Sequence, residues 1–185
     1  MRRTHRIIER LRSLRPVRLR RRHVRLALYG GIPALVLLFL SAAEGGLQRE
    51  IECLARNIYF EARTEPEEGR RAITHVVLNR VADPRWPDAP CAVIAQGYPQ
   101  DGRLCQFSWY CDDNSNRPRR DAYWRDAKRL ARRVYWGRSQ DPTGGALWYH
   151  ADYVKPQWRR TLHKGPQIGR HIFYRDKARA GRPGA

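Results

Sequence analysis

Residues 51–63, IECLARNIYFEAR, constrain this chain more than any other stretch. With successive helical side chains about 100° apart, Ile51, Leu54, Ala55, Ile58 and Ala62 share one face, and Glu61 falls beside Leu54 on its margin. The break at Thr64-Glu65-Pro66 follows at once. A stripe of that width has to be buried against another element, so a carboxylate at its edge loses part of its hydration. Desolvation disfavours the charged form, raises the pKa, and lets the group hold a proton near neutrality for delivery to a leaving oxygen. The alternative is a solvated helix-end glutamate paired with Arg56 or Arg63, which is the commoner fate of helical glutamates. This helix alone favours the solvated reading.

The charge distribution divides the chain. Residues 1–25 hold eleven arginines against one acid, Glu9, so +10 of the formal +19 sits in that arm and +9 in everything after it. Leu26–Ala43 follows with no charge over eighteen residues, at the border between a short membrane span and the apolar core of a signal peptide. Arginines before it and Glu44 behind it orient the amino terminus to the cytoplasm and export the remainder. Gly30, Gly31 and Pro33 weaken the segment as a helix, and Ser41-Ala42-Ala43 resembles a cleavage site, so a retained single-pass anchor in a bacterial inner membrane and a secreted form cut after Ala43 both follow. The long basic arm favours the anchor, with anionic lipid as its partner rather than nucleic acid.

The four cysteines, Cys53, Cys91, Cys105 and Cys111, all lie beyond the apolar segment. An even count in an exported domain reads as disulfides with three alternative connectivities. Cys105 and Cys111 flank the short aromatic loop QFSWY and are paired on that ground, which leaves Cys53 with Cys91. Without a CxxC, and with scattered histidines, zinc ranks well behind disulfides, and no metal or cofactor is expected.

After a linker at 44–49, the catalytic-sized region spans 50–175 and a basic tail occupies 176–185. Thr64 and Glu67 form a capping-box pattern for a second helix, with Ala72, Ile73, Val76, Val77 and Val81 facing the core until Asp83-Pro84. Cys91–Ala95 suggests one or two helical turns, and a third long helix runs from about Asp121 to Trp136, closed by Gly137. Two strand-like pieces follow, Ala146–His150 and His171–Tyr174. Helices early and short strands late indicate an α+β domain with a cleft between its parts.

Three clusters compete for function: Glu61 with Glu65; Gln106, Phe107, Ser108, Trp109 and Tyr110; and Trp148, Tyr149, His150 and Trp158. Aromatic rings with polar tips set in loops suit a sugar groove, in which rings cover the apolar faces of pyranoses and polar groups meet the hydroxyls. For any single ring, packing in the core is the stronger expectation. The substrate-contacting set is Glu65, Gln106, Phe107, Ser108, Trp109, Tyr149 and His150 from these clusters, with His171 on the later strand. No GxSxG occurs, and disulfides would consume the thiols, so acyl transfer ranks low.

The segments ARNIYFEARTEP (55–66), Gly69 with Ala72, VVLNRV (76–81), CQFSW (105–109), DPTGGALWYH (141–150) and IGRHIFY (168–174) resemble the cell wall hydrolase family of SleB and CwlJ type. The resemblance runs from roughly Glu50 to Arg175. It implies a lysozyme-like or resuscitation-factor-like helical lobe with a small β lobe, peptidoglycan as substrate, and Glu61 as the catalytic acid, which reverses the balance on that residue. Thr64 stands where family members usually have glycine. No wall-binding repeat is recognisable, which argues for a membrane-tethered enzyme of a vegetative cell. One persuasive carboxyl suits lytic transglycosylation, whereas standard hydrolysis needs two, and Glu65, Asp112 and Asp141 are the candidates for a second. A non-catalytic wall-binding module and a basic DNA-binding membrane protein are the remaining alternatives.

Overall fold

The computed structural model describes residues 40–41, 44–97, 105–111 and 117–177. The chain divides into Met1–Glu44 and Gly45–Ala185. The basic arm, the apolar segment except Leu40 and Ser41, Asp112 and the tail beyond Lys177 therefore lie outside the described residues. Among the described residues no helix is long and apolar enough to cross a membrane.

Helix α1 covers 44–61. Residues 44–49, expected as a linker, are already helical, because Leu47 stands one turn before Ile51 and extends the apolar stripe onto the core. The stripe is buried as its spacing requires, with Ile51, Leu54, Ala55, Ile58 and Ala62 all nearly inaccessible. Each large aliphatic side chain removed from water in this way contributes about 1.5–3 kcal/mol.

Helix α2, Glu67–Val81, has Pro66 at its N-cap and no side-chain cap. The capping box expected at Thr64 does not form. Thr64 lies exposed in the preceding turn, three residues before the helix starts, so its hydroxyl is out of register with the free N–H groups. Glu67 and Glu68 in the first turn meet the positive end of the helix dipole instead. Helix α2 is buried on two sides. Val77 joins a cluster with Leu54, Ile58, Ile94, Leu130 and Val134, while Ala72, Ile73 and Val76 join Ala62, Ala146, Ile168 and Phe173. It is therefore the beam shared by the helical lobe and the sheet.

Two short helices follow, α3 (Pro90–Ile94) and α4 (Ser108–Cys111), and then α5 (Ala122–Tyr135). The Asp121 side chain caps α5 by accepting from the Trp124 N–H at 2.9 Å. Helix α5 buries Ala127, Leu130, Ala131 and Val134, and Gly137 takes φ +66 beyond its end. The cysteines pair as Cys53–Cys91, joining α1 to α3, and Cys105–Cys111, closing the loop around α4.

Strands β1 (Trp148–Ala151), β2 (His163–Ile168) and β3 (His171–Arg175) form an antiparallel sheet in the order β1-β3-β2. A 3₁₀ turn, Gln157–Arg160, precedes β2. Strand β2 is absent from the sequence expectation because HKGPQI shows no apolar alternation. Its register shifts between Lys164 and Gln167, where Pro166 has no N–H to give, and an edge position tolerates that loss. Gly169, at φ +58, opens the two-residue turn into β3. Asn79 and Arg80 of α2 donate to the carbonyls of Ala146 and Leu147 at 3.0 and 2.8 Å, fixing the start of β1 against the helix.

Candidate active site

The C-terminal end of α1 and the faces of β1 and β3 enclose a cleft of about 670 Å³. Glu61, the last residue of α1, points into it from one wall and Tyr149 from the other. The Tyr149 hydroxyl donates to Glu61 Oε1 at 3.2 Å. Among the described residues Oε2 accepts no hydrogen bond and is free to face a ligand. Burial raises the Glu61 pKa above the usual carboxylate range, and the bond from Tyr149 opposes that rise without cancelling it. Tyr149 is itself pushed well above its ordinary value, first by burial and then by the neighbouring carboxylate, so it remains a donor throughout the physiological range.

Glu65 lines the same cleft but is already committed. It is 8% exposed, and its Oε2 accepts the Arg170 N–H at 3.1 Å. Its Oε1 lies 3.5 Å from His171 Nδ1. The carboxylate occupies the space left by two glycines: a Cβ on Gly69 would come within 2.9 Å of Oε2, and one on Gly169 would overlap Oε2 outright. Glu65 thus pins the β2–β3 turn to the start of α2 while it lines the cleft. His171 is carried in turn to the edge of the Tyr149 ring, with centroids 5.2 Å apart, and burial lowers its pKa.

The other expected contacts separate into two groups. Gln106 and Ser108 are exposed and line the cleft, where they are available to hydroxyl groups. Phe107 and Trp109 belong to the core, contrary to the expectation that they contact substrate. Phe107 is 1% exposed, and Trp109 stacks on Phe60 while donating through Nε1 to Asn57 Oδ1 at 3.1 Å. Helix α4 turns these two rings inward and leaves the polar residues between and beside them outside. His150 also lines the cleft, but both ring nitrogens are engaged, Nδ1 with Ala151 O at 2.8 Å and Nε2 with the Tyr174 hydroxyl at 3.0 Å. That leaves the ring itself, rather than a free nitrogen, to face the cleft.

Asp141, named as a candidate second carboxylate, organises the turn before β1. Burial tends to raise its pKa, but hydrogen bonds from Thr143, Asn79 and Gly145 outweigh it and hold the carboxylate ionised below its ordinary value. It is not among the residues lining the cleft. Asp112 lies outside the described residues. A larger cavity of about 880 Å³ lies beside the Cys53–Cys91 disulfide, but its acids are engaged, Glu50 with the Cys91 N–H and Glu52 with Arg56. Glu61, in the smaller cleft, has its pKa raised by burial. Among the described residues no cluster could hold a metal ion.

Sequence reasoning missed Arg80, which lines the cleft although it is 2% exposed. Its signal was an arginine inside the apolar run VVLNRV, at a place where a surface residue would break the stripe.

A helical lobe and a small sheet together hold a half-buried carboxyl of raised pKa in an open cleft, the kind of group that general acid–base chemistry uses. A family model described as Cell Wall Hydrolase matches residues 64–174, and the chain belongs to that family. The match begins three residues beyond Glu61. The chain is 31% identical over 147 residues to a spore cortex-lytic enzyme of Oceanobacillus iheyensis, covering 78% of this chain and 46% of that protein. It is 30% identical over 134 residues to another from Halalkalibacterium halodurans, covering 70% and 36%. The chain thus spans half or less of the length of these relatives. Among solved structures it is similar to the catalytic domain of the germination-specific lytic transglycosylase SleB from Bacillus anthracis, with 29% identity, a TM-score of 0.49, and 69% of this chain and 95% of the other covered.

Proposed function

We propose that this domain cleaves the glycan strands of peptidoglycan at the bond between N-acetylmuramic acid and N-acetylglucosamine, by lytic transglycosylation with Glu61 as the single acid and base. The observation that carries the reading is the state of Glu61: half-buried, raised in pKa, anchored through Oε1 by Tyr149, and open at Oε2 to the cleft. Neutral Glu61 protonates the glycosidic oxygen as its bond to the muramyl C1 breaks. The resulting carboxylate then takes the proton from the muramyl 6-hydroxyl as O6 bonds to C1, giving a 1,6-anhydro sugar and restoring the acid. Tyr149 supports the transient carboxylate by donating to it, which lowers the cost of charge in a desolvated site. Hydrolysis by the usual route needs a second carboxyl about 5–9.5 Å away to attack directly or to activate water. The other carboxylate lining the cleft, Glu65, is tied to Arg170 and His171.

Within this reading the basic arm and Leu26–Ala43 hold the domain at the outer face of a bacterial inner membrane, with anionic lipid under the arm; a periplasmic signal from a carboxyl-terminal reporter fusion tests that orientation. Mass spectrometry of purified sacculi digested by the chain tests the chemistry. Anhydromuramyl ends are expected, and Glu61→Gln should slow their release by roughly 10²- to 10⁴-fold. Reducing ends without anhydro products would overturn transglycosylation in favour of hydrolysis, and binding without cleavage would leave a wall-binding module.

A further inference from the structure

The cleft holds a buried cation that the reaction above does not use. Arg80 rises from α2 beneath the sheet, and its Nε donates to the Leu147 carbonyl at 2.8 Å. Its guanidinium lies over the Trp86 ring, 4.4 Å from the centroid, with the Phe107 ring 6.0 Å away. These rings cover its faces but offer no acceptors to its N–H groups. Nη1 is buried and has no hydrogen-bond partner. None of the ion pairs among the described residues includes Arg80. Burial lowers its pKa to about 10, which still leaves it charged at neutral pH.

A guanidinium out of water with no counter-charge is destabilising unless something supplies an anion, and the planar fork is suited to a carboxylate that takes two parallel hydrogen bonds. The charge also stands close to the chemistry, since Arg80 acts electrostatically on Tyr149, the partner of Glu61. Arg80 lines the cleft but is only 2% exposed, so an anion that reaches it comes on a short arm attached to the bound ring itself. Of the two sugars flanking the scissile bond, only the muramyl residue carries such an arm, a lactyl ether that ends in a carboxylate when no peptide is attached and in a neutral amide when one is.

Resting on the glycan-cleaving reading above, we propose that Arg80 is a recognition site for the free lactyl carboxylate of a peptide-free muramyl residue. The domain then works by preference on strands from which the stem peptides have been removed, and a peptide-removing amidase reaction must supply its substrate.

The test uses two glycan preparations from the same purified sacculi: strands stripped of peptide by an amidase, and the same strands with the lactyl carboxyl converted to the primary amide. The two differ by one charge per muramyl residue. The wild-type chain should cleave the acid strands with a kcat/KM roughly 10- to 100-fold higher than the amide strands, mostly through KM, as expected for one charge-assisted contact. Arg80→Gln should cleave the acid strands at the wild-type rate for amide strands, and Arg80→Lys, which keeps the charge and loses the fork, should retain only part of the preference. Equal rates of wild type on both preparations would overturn the proposal, as would a folded Arg80→Gln chain that kept the wild-type preference. If Arg80→Gln fails to fold, an undiminished preference in Arg80→Lys overturns it. Calorimetric binding of both strands to the Glu61→Gln chain reads the preference without turnover. A wild-type chain that cleaves neither preparation while that binding preference persists would defeat the glycosidase reading and leave the carboxylate site standing.

Discussion

Replacing Gly169 by alanine tests the proposition that Glu65 is a pin between the two lobes. Two costs are separable. The first is backbone conformation: φ is +58, and an L side chain there costs about 1–2 kcal/mol. The second is steric. The new Cβ would overlap Glu65 Oε2 and sit 3.1 Å from its Cδ and 3.3 Å from Pro66 Cδ. Glu65 is 8% exposed and cannot swing aside without releasing the Arg170 N–H and the contact with His171. Losing one hydrogen bond to a buried carboxylate adds about 1.5–3 kcal/mol. The sum, about 2.5–5 kcal/mol, corresponds to a fall in Tm of roughly 5–20 °C at about 2–4 °C per kcal/mol for a chain of this size. Gly137→Ala is the internal control. Gly137 has φ +66 and nothing within 4 Å of its Cβ position, so it incurs the backbone cost alone, about 1–2 kcal/mol. Thermal denaturation followed by circular dichroism, with both disulfides intact, measures the difference. In a Glu65→Ala background, Gly169→Ala should fall to the Gly137→Ala value, because the atom it strikes is gone. A Gly169→Ala chain no less stable than Gly137→Ala would refute the pin and the account of how His171 reaches Tyr149.

Glu61→Gln should be more stable than the wild type at pH 7–8. The folded pKa of Glu61 is raised above its ordinary 4.5, so its contribution to stability is complete below that value and is lost as pH rises through the folded pKa. Urea melts across pH 4–8 should show the advantage of the amide growing with pH, and a pH-independent difference would contradict the raised pKa. Tyr149→Phe removes the one interaction that lowers the Glu61 pKa, so the alkaline limb of the rate profile should move to higher pH while kcat falls at every pH. A limb that moves to lower pH would show that Tyr149 does not bond the carboxylate in the working enzyme.

What the sequence determined by itself was local and periodic. The stripe Ile51, Leu54, Ala55, Ile58, Ala62 set α1 and placed Glu61 at its buried margin, and Asp121 with Ala127, Leu130, Ala131 and Val134 set α5 and its start. These follow from helical geometry and capping chemistry, which depend on neighbours within a turn or two. The tertiary structure decided everything that required two distant segments to meet. Strand β2 carries no alternation of its own and exists because β3 offers it a ladder. Phe107 and Trp109 turned inward because Asn57, Phe60 and Arg80 wait for them, and sequence alone gives a loop aromatic no inward or outward sign. Glu65 became a structural pin through Arg170, 105 residues further on. Arg80 became a charge inside the cleft only when α2, Trp86 and the start of β1 closed around it. Burial and charge pairing are properties of the assembled packing, and no window of sequence contains them.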